Sequence, residues 1–317
     1  MENSHAKGEM TEAMPRSTSA TPHCCATIGF FDGVHLGHAY LISQVRQAAM
    51  ERGLASAVVT FPLHPRQALQ TDYRPQLLLT PEEKAVHLKA TGIERCITID
   101  FTRALSQLTA RQFMTLLAEQ YGVRALVIGY DHRFGHGREE GFADYVRHGG
   151  EIGMEVLPAL AYEQDGLTVS SSQVRRLLSA GEVGAAAQCL GYEYYVQGKV
   201  EEGYGAGHAL GYPTANLHPD FANKLIPADG VYAVRVMTEE KTYGGMMNIG
   251  FHPTLNADNH RTLEVNVFDF SGNLYGRTLR VCFVSQLRHE RKFLTPERLS
   301  AQLKADEAEA RQALRMG

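Results

Sequence analysis

Long apolar runs are missing from this chain: none approaches the ~20 consecutive apolar residues that a membrane-spanning helix needs. Residues 1–20 are polar and mixed in charge and lack the apolar centre of a secretory signal, so residues 1–22 are expected to be a disordered leader. Cysteine is sparse. The five present, Cys24, Cys25, Cys96, Cys189 and Cys282, form no CxxC pair or regular framework, which excludes a secreted disulfide scaffold and predicts reduced thiols in a cytoplasmic protein. A strong excess of either charge is lacking too. The formal net charge of −4 offers no broad basic surface for nucleic acid, beyond a local basic site, and favours small charged substrates over polymers. What is present is apolar material in quantity: 317 residues at 44% hydrophobic content allow two globular cores.

From Ala26 to about Ala180, short apolar runs alternate with helical spacing. Residues 26–31, 56–61, 96–99, 125–129 and 154–157 read as strands. Leu41, Ile42, Val45, Ala48 and Ala49 recur at helical intervals, and 81–90, 109–119 and 138–148 are further expected helices. This alternation predicts a parallel sheet covered by helices on both faces, with ligands at the carboxyl ends of its strands. After Leu190 the texture changes to β-rich runs punctuated by glycine, at 194–200, 230–236, 243–249, 261–270 and 277–284, predicting a second domain that is all-β at its centre. Residues 181–191 read as the last helical piece before it. Residues 296–315, with Leu299 and Leu303 four apart, read as a closing amphipathic helix packed on the barrel. The expected division is a leader at 1–22, a first domain at 23–185 and a second at 186–317.

The string GFFDGVHLGH, residues 29–38, sets His35 and His38 three apart where a strand is expected to turn into a helix. Free amides and the positive end of the helix dipole attract phosphate there, Gly33 and Gly37 allow close backbone approach, and both imidazoles can donate to phosphate oxygens. The residues HLGH alone fit a tight turn with a capping histidine equally well. Three more segments fall at expected strand ends. TFPLHPR (60–66) presents His64 and Arg66 from a loop stiffened by prolines. IGYDHRFGHGR (128–138) offers Asp131 as an acceptor for an adenine or ribose group, or is a solvated charged loop. In VSSSQVRRLL (169–178), Ser170 reads as an N-cap, and Val174, Leu177 and Leu178 mark the buried face. Ser171, Ser172 and Arg175 then share an exposed turn that can grip departing pyrophosphate, or belong to an ordinary capping box. In the second half, GYGAGHALGYPTANL (203–217) places glycines ahead of a Pro-Thr-x-Asn element, whose Thr214 and Asn216 oxygens suit Mg²⁺. TLEVNVFDF (262–270) alternates so that Glu264 and Asn266 face away from Leu263, Val265 and Val267.

These motifs carry a family resemblance. GFFDGVHLGH resembles the HxGH nucleotidyltransferase signature in its flavin-adenylylating branch, and VSSSQVR resembles the SSTxxR motif of the same module, with Ser172 in place of Thr. The PTAN string, NIGFHPT (248–254), Glu264 and LRHERKF (287–293) resemble riboflavin kinases. From about Thr27 to about Leu303 the chain is similar to the bifunctional prokaryotic riboflavin kinase/FMN adenylyltransferase, or FAD synthetase, family. It departs from the family pattern at His132, where an aromatic is more usual, and at Asn266, where His is common; no catalytic role is assigned to Asn266.

The resemblance implies a Rossmann-like α/β nucleotidyltransferase domain with a parallel sheet, followed by a Greek-key antiparallel β-barrel kinase domain with a C-terminal helix. It implies phosphorylation of riboflavin to FMN in the barrel and adenylyl transfer from ATP to FMN in the first domain. For the transfer it implies His35, His38 and Arg175 as catalytic, with Gly29, Phe30, Asp32, Gly37, His64, Arg66, Asp131, Ser171 and Ser172 binding ATP or flavin. For the kinase it implies Glu264 as base, with Gly203, Gly207, Gly211, Pro213, Thr214, Asn216, Asn248, Arg288, Glu290 and Phe293 in binding, and Mg²⁺ on Thr214 and Asn216. The partners implied are ATP, riboflavin, FMN and FAD, with no nucleic acid and no membrane, for a monomer or weak homo-oligomer.

Three alternatives stand beside this reading. A nucleotidyltransferase for another small phosphate, such as a cytidylyltransferase, is opposed by the PTAN and Glu264 constellation. A class I tRNA-synthetase relative is opposed by the lack of a KMSKS-like segment and of basic excess. A catalytically silent flavin-binding regulatory protein is opposed by the intact motifs.

Overall fold

The computed structural model describes residues 22–70, 72–129, 132–137, 139–164, 167–201, 211–252 and 260–316. Residues 1–21 of the expected leader, Asp131, Gly203, Gly207 and residues 253–254 of the NIGFHPT segment lie outside the described residues.

The apolar runs of the first half become parallel strands: β1 (Cys24–Ile28), β2 (Ala55–Thr60), β3 (Arg95–Thr98), β4 (Val123–Gly129) and β5 (Glu155–Ala159). They pair in the order β3-β2-β1-β4-β5. β1 is buried along its whole length, as a central strand covered on both faces must be. Strand order reverses at β1, which has β2 on one side and β4 on the other, so the crevice beyond β1 and β4 is the topological switch point where such sheets bind ligands.

Between the strands run α1 (Leu36–Glu51), α2 (Pro65–Leu69), α3 (Pro81–Ala90), α4 (Arg103–Ser106), α5 (Ala110–Tyr121) and α6 (Phe142–Ile152). One face of the sheet buries Ala26, Leu126, Met114, Leu117 and Tyr145 together; the other buries Val58, Val127, Ile42, Val45 and Leu88. Local capping decides where the helices start. Thr80 and Thr109 make capping boxes with Glu83 and Gln112 at the heads of α3 and α5. The helix expected over 138–148 begins instead at Phe142, because Gly135 and Gly137 hold left-handed turns (φ 87° and 81°) and the Asp144 side chain accepts from the Gly141 amide at 3.0 Å.

A small hairpin, β6 (Glu163–Gln164) with β7 (Leu167–Thr168), leads into α7 (Ser171–Ser179) and α8 (Val183–Leu190). Val174, Leu177, Leu178, Val183, Ala186 and Leu190 from these two helices share one core with Tyr194, Val196, Tyr232 and Phe283 of the second half. That half is a barrel of β8 (Tyr195–Glu201), β9 (Ala215–Pro219), β10 (Gly230–Met237), β11 (Thr242–His252), β12 (His260–Val267) and β13 (Thr278–Arg288). It closes in the order β10-β11-β12-β9-β8-β13, all pairs antiparallel. Because β13 lies beside β10 and β9 beside β12, two overlapping Greek keys result. β9 falls outside the runs read as strands above, since ANLHP is short and carries a histidine and a proline. Finally, α9 (Pro296–Met316) lies on the outside of the barrel, where Ala310, Leu303 and Leu314 pack on Val231, Met246 and Phe268.

Candidate functional sites

β1 ends at Ile28, and the chain turns through Phe31 (φ 56°), Gly33 (φ 79°) and Val34 (φ 35°) before α1 begins. A left-handed β-branched residue is strained and survives only where its surroundings over-determine it. Asp32, 4% exposed, supplies much of that determination. Its carboxylate accepts the Leu78 and Leu79 amides at 3.0 and 3.1 Å and pairs with the Arg175 guanidinium, while its carbonyl accepts from Ser171 Oγ at 2.9 Å. Ser171 and Arg175 are therefore half-buried and engaged at the turn, and Ser172 is the exposed member of the trio.

His35 caps α1, its Nδ1 accepting the His38 amide at 3.3 Å. That bond leaves the ring proton of the neutral imidazole on Nε2. The His38 ring stacks on His35 with centroids 3.7 Å apart, and its Nδ1 is buried without a hydrogen-bond partner among the described residues. Burial, reinforced by Arg175, lowers His35 to about 4; burial, then His35 and Lys84, push His38 well below the ordinary histidine range. Both rings are consequently neutral at physiological pH and are available as uncharged donors. Gly37 favours this closeness, since a Cβ there would approach the His35 ring and the Val169 carbonyl to 3.1 Å, and one of them would have to give by a few tenths of an ångström.

Beyond the strand ends, a cavity of about 530 Å³ is lined by Gly29, Phe30, Phe61, His64, Arg66 and Phe101, with His132 and Phe134 on its far wall. His64 caps α2 by accepting the Arg66 amide at 3.2 Å and stands edge-on to Phe30, centroids 5.0 Å apart. Burial, then Arg175, lowers its pKa. The Arg66 guanidinium is exposed and sits 4.3 Å from the Tyr73 ring.

Sequence reasoning missed Lys84 here. Buried on α3, it donates to the carbonyls of Phe30 (3.1 Å) and Phe61 (2.8 Å), and desolvation lowers it to about 8. The available signal was its four-residue spacing from the buried Leu88. The aromatic wall of Phe61, Phe101, Phe113 and Phe134 was also not singled out, because its members are far apart in the chain.

The second site is a row across the barrel. Arg288, Val231, Asn248, Glu264 and Asn216 are successive partners on β13, β10, β11, β12 and β9. Directly paired residues share a face. Their sequence neighbours Tyr232, Ile249, Leu263 and Val265 fill the barrel interior, so the row lies on the outer face under α9.

A cavity of about 270 Å³ opens on this row, lined by Thr214, Asn248, Glu264, Glu290 and Phe293 among others. Thr214 Oγ1 donates to Glu264 at 3.4 Å. Asn266, 7% exposed, donates to the Pro213 carbonyl at 2.7 Å and so pins the PTAN segment beside the glutamate. Arg288 pairs with Asp306 of α9 at 2.9 Å and lies 5.5 Å from the Phe293 ring. Glu290 is exposed beside Gly250, where a Cβ would meet its carboxylate at 2.1 Å. Gly211 is an exposed turn residue, φ 80°.

Tyr212, Met246, Leu299 and Leu303 also line the cavity without having been singled out for it. The Leu299–Leu303 spacing predicted packing, and α9 does pack, but it walls the pocket as well. Among the described residues no cluster of three or more His, Cys, Asp or Glu is positioned to hold a metal ion. Thr214, Asn216 and Glu264 nonetheless gather hard oxygen donors at one place, and that donor chemistry fits Mg²⁺.

A parallel sheet with a pocket at its switch point, joined to an antiparallel barrel with a carboxylate pocket on its outer face, defines a two-module enzyme of nucleotide chemistry. Comparison with known proteins gives the same two modules: the family model described as FAD synthetase matches residues 17–173, and that of riboflavin kinase matches 190–314. The bifunctional riboflavin kinase/FMN adenylyltransferase of Pseudomonas fluorescens is 37% identical over 290 residues, covering 91% of this chain and 92% of that protein. Its namesake in Escherichia coli (strain K12) is 34% identical over 291 residues (91% and 92%), and that of Bacillus subtilis (strain 168) 34% over 289 residues (89% and 90%). The chain belongs to the bifunctional riboflavin kinase/FMN adenylyltransferase family.

A solved structure described as a macrolide-efflux protein from Streptococcus pneumoniae superposes with a TM-score of 0.83 at 32% identity, covering 92% of this chain and 95% of that one. Efflux is that protein's description. Among the described residues here no helix is long and apolar enough to cross a membrane.

Proposed function

We propose that this chain phosphorylates riboflavin with ATP on the outer face of the barrel and adenylylates FMN at the carboxyl ends of the parallel strands. The products are FMN and ADP in the first step and FAD and pyrophosphate in the second. One observation carries the reading: a single chain holds two separate pockets, one reaching Gly29 and Phe30 on the turn that leads to the stacked His35–His38 pair, and one around a strand carboxylate.

In the adenylyl transfer, an FMN phosphate oxygen attacks the α-phosphorus of ATP. His35 and His38 donate to the non-bridging oxygens as charge builds, and, being neutral, they do so without losing a proton. Arg175 neutralises and Ser172 donates to the departing pyrophosphate, with Asp32 holding Arg175 and Ser171 holding the turn in place. Phe30, Phe61 and Phe101 offer the flavin ring an apolar wall, while His64 and Arg66 face its phosphate.

In the kinase step, Glu264 accepts the proton of the ribityl 5′-hydroxyl as that oxygen attacks the γ-phosphate. Thr214 orients the carboxylate, which lies between its strand partners Asn248 and Asn216, and Arg288, Glu290 and Phe293 line the flavin side. Mg²⁺, when bound, neutralises the nucleotide phosphates, and Thr214 and Asn216 are the residues that would hold it. The reading divides the labour between residues 23–185 and 186–317, in a cytoplasmic enzyme acting on small molecules as a monomer or weak homo-oligomer.

The test is to incubate the purified chain with riboflavin, ATP and Mg²⁺ and follow flavins by chromatography. FMN first and then FAD is expected; FMN alone removes the transferase assignment, and FAD formed only from supplied FMN removes the kinase assignment. His38→Ala is expected to lower adenylylation by ~10²-fold while sparing the kinase, and Glu264→Ala to do the reverse. Loss of both activities from either change in a folded protein would overturn the two-site assignment.

A further inference from the structure

The turn at residues 31–34 has more strain to restrain than Asp32 accounts for. Three of its four residues are left-handed, two of them not glycine, and such conformations persist only under external restraint. Asp32 and Ser171 restrain residue 32, and the Val34 amide closes on the Phe31 carbonyl at 3.3 Å. The Gly33 carbonyl between them is held from elsewhere, by the Tyr192 hydroxyl at 2.7 Å. Tyr192 lies on the segment between α8 and β8, where the sheet half meets the barrel half.

We infer that Tyr192 is a positioning residue for adenylyl transfer, its hydroxyl fixing the strained turn from which His35 and His38 are presented. This rests on the reading of that turn as the transfer site. Tyr192 lines neither of the two cavities described, so it acts through the turn. Gly33 is buried, and a Cβ on it would meet Leu78 Cδ1 at 2.7 Å and Leu190 Cδ2 at 3.4 Å, so the turn is seated directly on the junction. No ordinary side chain fits there, and a single backbone carbonyl is left to be gripped.

The grip is itself rigid. Gly191, left-handed at φ 81°, ends α8 and turns the chain, and the Tyr192 ring packs on His87 with centroids 4.2 Å apart. Burial raises the phenol far above its ordinary pKa, so it remains a donor throughout the physiological range. The consequence is that the transfer site depends on a residue of the interdomain segment, while the kinase pocket does not.

Tyr192→Phe tests this, since it removes the hydroxyl and keeps the ring. A misplacement of about 1 Å can cost ~10²-fold in rate. FMN adenylylation is expected to fall at least ~5-fold in kcat, with KM for ATP and FMN within ~2-fold of the parent. Riboflavin phosphorylation by the same preparation is expected to hold, and the thermal midpoint to fall by no more than the few degrees that one lost buried hydrogen bond costs, which a general loss of structure would not allow. A kcat change smaller than ~5-fold, an effect confined to a rise in KM, or a parallel loss of both activities would overturn the inference. If the parent chain itself fails to adenylylate FMN, the assignment of the site falls first and the inference with it.

Discussion

His35 commits one ring nitrogen to the start of α1, and that commitment has a pH signature. A capping Nδ1 must be unprotonated to accept the His38 amide, and burial lowers His35 from 6.5 to about 4. Between those values the unfolded chain binds more protons than the folded one, so stability rises with pH through the window. It is fully present above 6.5 and is lost as pH falls toward 4. The swing attributable to His35 is of the order of 3 kcal/mol. His38, lowered for the same reason, acts in the same direction. His35→Asn retains a side chain able to cap while removing the titration, so its urea midpoint is expected to fall less steeply between pH 6.5 and 4 than that of the parent. Equal slopes would mean that His35 does not titrate with folding.

β9 shows how an element can be made by its neighbours. Its five residues become a strand because β8 and β12 pair with them on both sides, and the contact with β8 is close. Gly198 of β8 faces Pro219 of β9, and a Cβ on it would lie 2.1 Å from the His218 carbonyl oxygen. Backbone cannot yield as a flexible side chain does. Gly198→Ala is therefore expected to push β9 outward, destabilising the barrel by about 2 kcal/mol and carrying Thr214 and Asn216 away from Glu264. Riboflavin phosphorylation should drop well below adenylylation in the same preparation; an unchanged melting temperature together with full kinase activity would sink this account of β9.

Across the whole molecule, the two halves are joined by more than a linker. The Leu77 amide donates to Asn223 and the Leu225 amide to Leu77, both at 2.8 Å, and Lys224 Nζ reaches the Leu78 carbonyl at 2.8 Å and Glu83 at 2.5 Å. The Lys224–Glu83 pair has side-chain exposures of 2% and 8%, so neither charge has water to fall back on. Lys224→Met is expected to destabilise the chain by about 3–5 kcal/mol, because it strands a buried carboxylate. Adding Glu83→Leu should recover most of that loss, apart from about 1 kcal/mol for the α3 capping box that Glu83 also completes. A double-mutant cycle by urea denaturation checks this, and simple additivity of the two changes would show that the pair is not coupled.

Much of the plan was legible in the sequence because it is written in short-range patterns. The alternation of apolar runs and helical spacing determined the parallel sheet, the glycine-punctuated β runs determined the barrel, and Ser170 declared itself as the cap of α7. The outward face of Glu264 followed from strand alternation alone. Each of these depends on residues only a few positions apart. Tertiary structure decided the rest, where the partner lies far along the chain. Ser171 and Arg175, an open turn by helical spacing, are drawn to Asp32, more than a hundred positions away. Lys84 stands out only once two carbonyls at the strand ends claim its ammonium. ANLHP becomes a strand through its neighbours, α9 becomes a pocket wall through where it docks, and Tyr192 becomes a clamp because Gly33 lies beneath it. The physical reason is common to all five: sequence periodicity reports which face of an element is apolar, whereas the partner that a segment or a polar group meets is settled only when distant parts of the chain are packed together.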